Sequence, residues 1–285
     1  MRLCRNDQEL RAALDKASTS RAFVPTMGAL HEGHATLMRE ARKRADCVVV
    51  SAFVNPKQFA PHEDFSSYPR TERSDLETME KEGVDVAYFP SERDVYPSGF
   101  DTRIAPGATA ASMEGKVRPH FFEGVLTVVM ALFMQVRPSC AIFGEKDYQQ
   151  LALVRRMAVD FRLGIDVVGV PIARDPISGL ALSSRNRYLT PPELVVAGKF
   201  ARIVEKTACA LFGVSDAQKI RQIINDATND MTDAGTARPD YVDLRSERSL
   251  TPFDAYPSGE PMRLFAAAKI GTVRILDNRT VERDA

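Results

Sequence analysis

The chain has 285 residues, of which 44% are hydrophobic, and its 38 basic and 38 acidic side chains give no formal net charge. This length supports a full hydrophobic core in one large or two smaller domains, whereas the balanced charge disfavours a nucleic-acid partner, which usually needs a basic face. The charged N-terminus is unlike a signal peptide and the longest apolar run, 125–136, is too short to span a bilayer, so we expect a cytoplasmic protein with no membrane partner.

Helices and strands alternate from the N-terminus to about residue 173. The pattern predicts helices over 8–16, 33–44, 71–82, 121–136 and 147–161, and strands over 22–24, 47–54, 84–89, 140–143 and 165–170. Residues 90–117 are rich in Pro, Gly and Ser and are predicted to be loops. This alternation is typical of a Rossmann-like parallel α/β sheet with helices on both faces. Ligands of such sheets bind at the carboxyl ends of the strands.

The pattern changes after the turn-rich sequence 175–179. We predict two further helices and three short strands there, over 191–212, 215–234, 240–243, 263–268 and 272–276. The sequence therefore predicts two domains, a Rossmann-like domain over 1–175 and a smaller α+β domain over 176–285. The four cysteines are widely separated, which is typical of reduced, packed thiols rather than of a disulfide set.

Two histidines mark the first strand-to-helix turn. His31 and His34 follow the strand that ends near Val24, and the next helix starts near Gly33. The free N–H groups and the dipole of a helix N-terminus favour an anion, and imidazoles three residues apart face the same way and can donate to phosphate oxygens. Gly33 lacks a Cβ, so a base or a phosphate can come close. The alternative is a pair of surface histidines; zinc is disfavoured because the chain has only two other histidines and no Cys-x-x-Cys.

The sequence Pro-Thr-Met-Gly-Ala-Leu-His-Glu-Gly-His at 25–34 resembles the signature of the pantothenate synthetase family, within the nucleotidyltransferase superfamily. Further matches follow in the family's order: Asn-Pro-Lys-Gln-Phe at 55–59, Gly-Glu-Lys-Asp-Tyr-Gln-Gln at 144–150 and Leu-Ser-Ser-Arg at 182–185. The resemblance extends to 271–278. Several motifs in the right order are far more specific than His-x-Gly-His alone.

The resemblance implies a role for each matching residue. ATP would be bound by Met27, Gly28, His31, Gly33, His34, Gly144, Glu145, Lys146, Asp147, Ala173, Leu182, Ser183, Ser184 and Arg185. Among these, His31, His34, Lys146 and Arg185 would act directly on the phosphates, which suits their positive charge or N–H donors. The organic substrates would be bound by Asn55, Gln58, Tyr68, Arg118 and Gln150, and Asp75 would lie near a Mg²⁺ ion. Without the resemblance, Asn55 would be part of a plain turn and Asp75 an exposed helix acid.

A fifth match is imperfect. Residues 118–125 resemble the family's Arg-Pro-x-His-Phe-x-Gly-Val, but the position of the family's histidine is Phe121 here, and His120 comes one place early. One residue turns a helix by about 100°. We therefore assign no role to His120.

The resemblance implies a ligase that condenses pantoate with β-alanine to give pantothenate, using ATP and Mg²⁺ and passing through pantoyl adenylate. It also implies a homodimer and a C-terminal domain that acts as a lid. Two alternatives stay open: another nucleotidyltransferase or synthetase-like protein that passes an acyl group to tRNA, and a nucleotide-binding regulator that has lost catalysis. The zero net charge opposes the first alternative, and the presence of all the phosphate ligands opposes the second.

Overall fold

The computed structural model describes residues 1–61, 63–255 and 260–282. Its internal contacts divide the chain into two compact units. The first unit comprises Met1–Glu145 and Gln149–Pro171, and the second comprises Lys146–Tyr148 and Ile172–Ala285. The division into domains at residue 175 stays a prediction.

A parallel sheet of six strands forms the centre of the first unit. Its strands are β1 (Arg2–Cys4), β2 (Arg21–Thr26), β3 (Cys47–Ala52), β4 (Val86–Tyr88), β5 (Cys140–Gly144) and β6 (Asp166–Val170). They lie in the order β1-β4-β3-β2-β5-β6. Because β3 and β5 lie on opposite sides of β2, the strand order reverses between β2 and β5. Such a reversal leaves a crevice at the carboxyl ends of the two strands, where open α/β sheets bind ligands.

Helices cover both faces of this sheet. The connecting helices are α1 (Asp7–Leu14), α2 (Glu32–Arg44), α3 (Glu72–Lys81), α4 (Glu92–Val95), α5 (Glu114–Val117), α6 (Phe121–Val136) and α7 (Tyr148–Asp160). Ala22 and Val24 of β2 share a buried cluster with Met38 of α2. Phe23, between them, packs edge-on against Phe133 of α6 with 6.3 Å between ring centroids. Successive strand residues point to opposite faces, so α2 and α6 lie on different faces, and the predicted fold class is confirmed.

The second unit has an antiparallel sheet of β7 (Tyr241–Ser246), β8 (Met262–Ile270) and β9 (Val273–Thr280), together with helices α8 (Pro191–Leu211) and α9 (Ala217–Asp233). The core of this unit includes every second residue of β8, namely Leu264, Ala266 and Ala268. Helix α8 contributes residues spaced three or four apart, namely Ala197, Phe200, Val204 and Ala208. The predicted α+β arrangement is confirmed.

The differences from the predicted elements concern short segments. The sequence pattern does not predict β1, whose three residues pair with Val86–Tyr88 at the edge of the sheet. A segment of three residues is too short to show a period. The two four-residue helices α4 and α5 form within 90–117, where we predict loops. The other predicted helices and strands are present, and α6 has the predicted bounds.

The cysteines are packed as the sequence suggests. All four belong to the described ranges and none of them forms a disulfide, and Cys4, Cys47 and Cys140 are buried. Burial raises the pKa of these three thiols and so suppresses the reactive thiolate. Within the same ranges, none of the helices combines the length and the hydropathy that crossing a membrane requires.

Candidate active site

The turn between β2 and α2 carries the two histidines. His31 is the N-cap of α2, and its Nδ1 accepts the backbone N–H of Gly33 at 3.1 Å. The Nδ1 of His34 accepts the backbone N–H of His31 at 3.3 Å, and the ring centroids are 4.1 Å apart. A ring nitrogen that accepts a hydrogen bond carries no proton, so the proton of each neutral imidazole is on Nε2. Each ring therefore satisfies the helix end with Nδ1 and has its N–H donor on Nε2.

Asp75 of α3 holds this turn in place. Gly28 and Ala29 have φ values of +80° and +51°, in the left-handed region that few residues adopt. The carboxylate of Asp75, which is 2% exposed, accepts the backbone N–H groups of Ala29 (3.0 Å) and Leu30 (2.8 Å) and the hydroxyl of Thr71 (3.1 Å). A Cβ on Gly28 would lie 3.0 Å from Asp75 Oδ2, so a glycine is needed for this approach. Asp75 is thus a buried acceptor, and the alternative of an exposed helix acid is wrong.

The predicted pantoate residues lie in a chain of hydrogen bonds within the first unit. Asn55 is buried; its Oδ1 accepts the hydroxyl of Tyr96 at 2.7 Å, and its Nδ2 donates at 3.1 Å to both Gln58 Oε1 and the carbonyl of Gly124. Gln58 Nε2 in turn donates to Met27 Sδ at 3.1 Å. Met27 follows β2 and Gln58 follows β3, so the structure brings the ends of two neighbouring strands together. Asn55 is more than part of a plain turn, since its side chain connects three segments.

Arg118 holds the same segment from the other side. Its Nε and Nη2 pair with the two carboxylate oxygens of Glu63 at 2.6 Å each, and Nη2 also donates to the carbonyl of Gln58 at 3.2 Å. The guanidinium lies 3.9 Å from the ring centroid of Phe121, the residue at the family's histidine position. His120, which precedes α6, is exposed. Arg118 therefore fixes the backbone around Gln58, a task that the resemblance does not imply.

Tyr68 lies beside this segment. Its side chain is buried, and its ring packs edge-on against Phe59 with 6.0 Å between centroids. Phe59 directly follows Gln58, so this contact places Tyr68 next to the end of the predicted substrate segment.

The motif at 144–150 begins in the first unit, at the carboxyl end of β5. Apart from Gly144 itself and its two chain neighbours, no described residue has a heavy atom within 4 Å of where a Cβ of Gly144 would be, which leaves space beside its backbone. The side chain of Glu145 lies beside β6, with Oε1 3.1 Å from where a Cβ of Gly169 would be. Gln149 is buried and donates to two backbone carbonyls in 109–112, which is a structural task, whereas Gln150 is half-buried in the first turn of α7.

The second unit contains the remaining residues of this motif. Lys146 Nζ lies 3.7 Å from Asp147 Oδ1, and the carbonyl of Lys146 accepts the Nδ2–H of Asn278 at 2.8 Å. Asn278 belongs to β9, so the backbone of this predicted phosphate ligand is fixed by the C-terminal sheet.

The predicted phosphate clamp is also in the second unit. Ser183 caps a short 3₁₀ helix, Ser184–Tyr188, by accepting the backbone N–H of Arg185 at 3.3 Å. Leu182 N–H donates to the carbonyl of Ala173 at 2.9 Å, which joins the two ends of the loop. Ser184 is buried, so the cap and the loop closure hold these residues in a defined conformation.

Sequence patterns do not indicate three residues of these networks: Tyr96, Glu63 and Asn278. Their partners Asn55, Arg118 and Lys146 lie 41, 55 and 132 positions away along the chain. Such pairs leave no periodic signal in a single sequence, and only the fold reveals them.

Comparison with known proteins gives consistent matches over the whole chain. The sequence model of the family described as pantoate-beta-alanine ligase matches residues 2–280. A pantothenate synthetase of Rhodopseudomonas palustris (strain HaA2) is 49% identical over 276 residues, 95% of each chain. A pantothenate synthetase of Bradyrhizobium sp. (strain BTAi1) is 47% identical over 284 residues, 98% of each chain.

Solved structures agree with these matches. A crystal structure of pantothenate synthetase from Thermus thermophilus superimposes with a TM-score of 0.86 at 38% identity, covering 99% of both chains. A pantoate-beta-alanine ligase from Francisella tularensis, complexed with beta-gamma ATP and beta-alanine, superimposes with a TM-score of 0.82 at 34% identity and covers 100% of this chain and 99% of its own.

Proposed function

Because this chain belongs to the pantoate–β-alanine ligase family, we propose that it condenses pantoate with β-alanine to pantothenate while ATP is converted to AMP and pyrophosphate. The observation that carries the proposal is the histidine pair at the carboxyl end of β2, beside the point where the strand order reverses, with each ring's donor confined to Nε2. The Francisella relative, complexed with beta-gamma ATP and beta-alanine, supports the same substrates here.

The reaction takes place in two steps. A carboxylate is a poor electrophile, so an oxygen of the pantoate carboxylate first attacks the α-phosphorus of ATP, and the bond to the bridging oxygen breaks to release pyrophosphate. The amine of β-alanine then attacks the carbonyl carbon of pantoyl adenylate; AMP leaves with the acyl oxygen, and the nitrogen loses a proton. Both steps depend on positioning and on stabilising phosphate charge.

We assign the residues by the groups they offer. The phosphates are bound by N–H, ammonium, hydroxyl and guanidinium donors, those of His31, His34, Lys146, Ser183, Ser184 and Arg185. Pantoate is held by Gln58, Tyr68 and Gln150, whereas Asn55, whose amide is buried and bonded at both ends within the protein, orients Gln58. The pocket for the nucleotide is lined by Met27, Gly28, Gly33, Gly144, Glu145, Asp147, Ala173 and Leu182. Arg118, being bonded to Glu63 and to the Gln58 carbonyl, acts on the substrate segment rather than on the substrate itself.

Mg²⁺ fits this site as a companion of the nucleotide. Within the described ranges, no group of three His, Cys, Asp or Glu side chains could hold a metal ion. Mg²⁺ keeps several waters and commonly binds through substrate phosphates with one or two carboxylates, and it would neutralise phosphate charge when bound. The carboxylate of Asp75 already accepts three hydrogen bonds, so we propose that it shapes the turn and that the ion enters with ATP.

We also propose that the enzyme is a cytoplasmic homodimer, as the family resemblance implies. The unbridged thiols, three of them buried, suit a reducing compartment. Analytical ultracentrifugation should give the mass of two chains, and a single species with the mass of one chain would contradict the dimer.

A pyrophosphate-release assay tests the function. The purified protein should release pyrophosphate from ATP in the presence of pantoate but not of lactate, a smaller hydroxy acid, and adding β-alanine should convert the bound adenylate into the amide. If no acid causes pyrophosphate release, the alternative of a nucleotide-binding regulator that has lost catalysis would be favoured. Release with a different acid, followed by transfer to tRNA, would favour the synthetase-like alternative.

A further inference from the structure

Tyr96 is a buried phenol that the proposed reaction does not use. It follows α4, is 7% exposed, and donates its hydroxyl to Asn55 Oδ1 at 2.7 Å. Phe53 and Phe100 pack against its ring with centroids 6.2 and 5.0 Å away, and Lys57 Nζ lies 4.7 Å from the ring centroid. Aromatic and cationic contacts therefore hold the ring, and with it the direction of the hydroxyl.

The Tyr96 hydroxyl sets the orientation of the Asn55 amide. Burial, aided by Glu92, raises the pKa of Tyr96, so the phenol stays protonated and donates. Asn55 Oδ1 accepts this hydroxyl and also the backbone N–H of Lys57 at 3.2 Å. With Oδ1 turned toward two donors, Nδ2 must face the opposite side, where it meets two acceptors, one of them Gln58 Oε1 at 3.1 Å.

The orientation of the Asn55 amide determines that of the Gln58 amide. Its Oε1 accepts from Asn55, so its Nε2 is directed away and donates to Met27 Sδ at 3.1 Å. A thioether sulfur is a weak acceptor, and a carboxylate or hydroxyl oxygen of a substrate would replace it as the better partner. We propose that Tyr96 is a positioning residue that acts through Asn55 to present the Gln58 N–H donors to pantoate. This inference rests on the proposed function, because it takes pantoate as the substrate.

The hydroxyl of Tyr96 can be removed while the aromatic ring is kept. Tyr96→Phe deletes the hydroxyl that donates to Asn55, and the matched control is Tyr88→Phe. Tyr88 lies on β4, is also buried with a raised pKa, and donates to Gln135 Oε1 at 3.4 Å, away from the Gln58 segment. Steady-state kinetics of both variants and of the wild type give KM for each of the three substrates and kcat.

We expect Tyr96→Phe to raise KM for pantoate about three- to tenfold, the range that corresponds to one lost hydrogen bond, with KM for ATP and β-alanine unchanged. Tyr88→Phe should leave all three KM values unchanged. In the Gln58→Ala background, Tyr96→Phe should have no further effect on KM for pantoate, since coupled residues are not additive.

Two results would overturn the inference while leaving the function intact: equal changes in all three KM values, or a Tyr96→Phe effect that adds in full to that of Gln58→Ala. Failure of the wild-type enzyme to use pantoate would instead overturn the proposed function, and the role of Tyr96 with it.

Discussion

The two nitrogens of each imidazole at the β2–α2 turn lie in different surroundings. In His34, Nδ1 accepts the His31 backbone N–H, and Nε2–H is the donor that we assign to phosphate. An asparagine amide reaches about as far as Nδ1, whereas a glutamine amide reaches as far as Nε2. The N–H donor can therefore be tested apart from the cap, because asparagine at this position keeps only a capping oxygen.

We predict that His34→Asn keeps the cap but lowers the rate of pyrophosphate release by roughly 10²–10³-fold, the usual cost of losing one donor to a developing charge. His34→Gln should retain more activity, because its amide N–H lies near the lost Nε2–H, and should keep the melting temperature of the wild type, because a glutamine three residues after the N-cap can also accept the His31 backbone N–H. Single-turnover assays and thermal melts measure both. Equal activity of the two variants would contradict this division of tasks.

Asp75 is the residue for which a loop role and a metal role make different predictions. In Asp75→Asn, an NH₂ group would face one of the backbone N–H donors of Ala29 and Leu30, so we expect about 1–3 kcal/mol lower stability in urea unfolding together with slower adenylation. Because this substitution disturbs the turn between β2 and α2 rather than a metal ligand, raising the Mg²⁺ concentration should not restore the rate of adenylation. Restoration by Mg²⁺ would show that Asp75 binds the ion. Glu77→Gln, an exposed change on the same helix, is the control.

At the scale of elements, helix α6 and the segment after β3 approach each other as closely as backbones can. A Cβ on Gly124 of α6 would lie 2.2 Å from the carbonyl oxygen of Lys57 and 2.8 Å from Gln58 Cα. Real Cβ atoms do not approach backbone atoms so closely, so either the helix or the segment would have to move. The glycine thus fixes how deeply the predicted substrate segment lies against α6.

We therefore predict that Gly124→Ala displaces Gln58 and raises KM for pantoate by about tenfold or more, with a stability loss of roughly 1–3 kcal/mol from overpacking. Gly107→Ala is the matched control, because no described residue beyond its two chain neighbours has a heavy atom within 4 Å of its Cβ position and its φ is −75°. Kinetics and urea unfolding of the two variants decide the matter; an unchanged KM in Gly124→Ala would mean that the segment does not bind pantoate.

The elements also show what a single sequence can and cannot predict. Helix α6 has the predicted bounds because its residues are mostly apolar up to the charged Arg137, whereas β1 depends on pairing with Val86–Tyr88 and has no local signal. In the site, the motifs predict which residues bind the substrates, since these predictions depend on residue type and local order alone. The motifs gave no sign of the hydrogen bonds that orient those residues, because Tyr96 and Asn55 meet only after the sheet has formed.

At the scale of the whole molecule, the Gly-Glu-Lys-Asp motif is shared between the two compact units. Gly144 and Glu145 belong to the first unit, whereas Lys146–Tyr148 packs with the second. There, Tyr148 donates to the carbonyl of Glu247 at 3.0 Å, and Arg263, 5% exposed, lies 3.9 Å from the Tyr148 ring centroid. Lys146 and Tyr148 thus contact residues of the C-terminal sheet, although both precede residue 175 in the sequence.

Asn278 is the link between that sheet and Lys146. It is 1% exposed, accepts from Arg263 Nη1 at 2.6 Å and donates to the Lys146 carbonyl at 2.8 Å. Asn278→Asp keeps the acceptor but turns an oxygen toward that carbonyl, so the backbone of Lys146 should shift. We predict a rise in KM for ATP or a fall in kcat of about tenfold, which corresponds to about 1.4 kcal/mol, with KM for pantoate unchanged.

A matched change separates this effect from general loss of stability in the second unit. Thr236→Val removes a buried hydroxyl that bonds backbone carbonyls of Met231 and Ala237, away from Lys146. It should lower the melting temperature while leaving KM for ATP as in the wild type. If Thr236→Val and Asn278→Asp changed KM for ATP equally, the C-terminal sheet would affect the nucleotide only through stability. If only Asn278→Asp changes KM for ATP, then Asn278 fixes the predicted phosphate ligand Lys146 from 132 positions away along the chain.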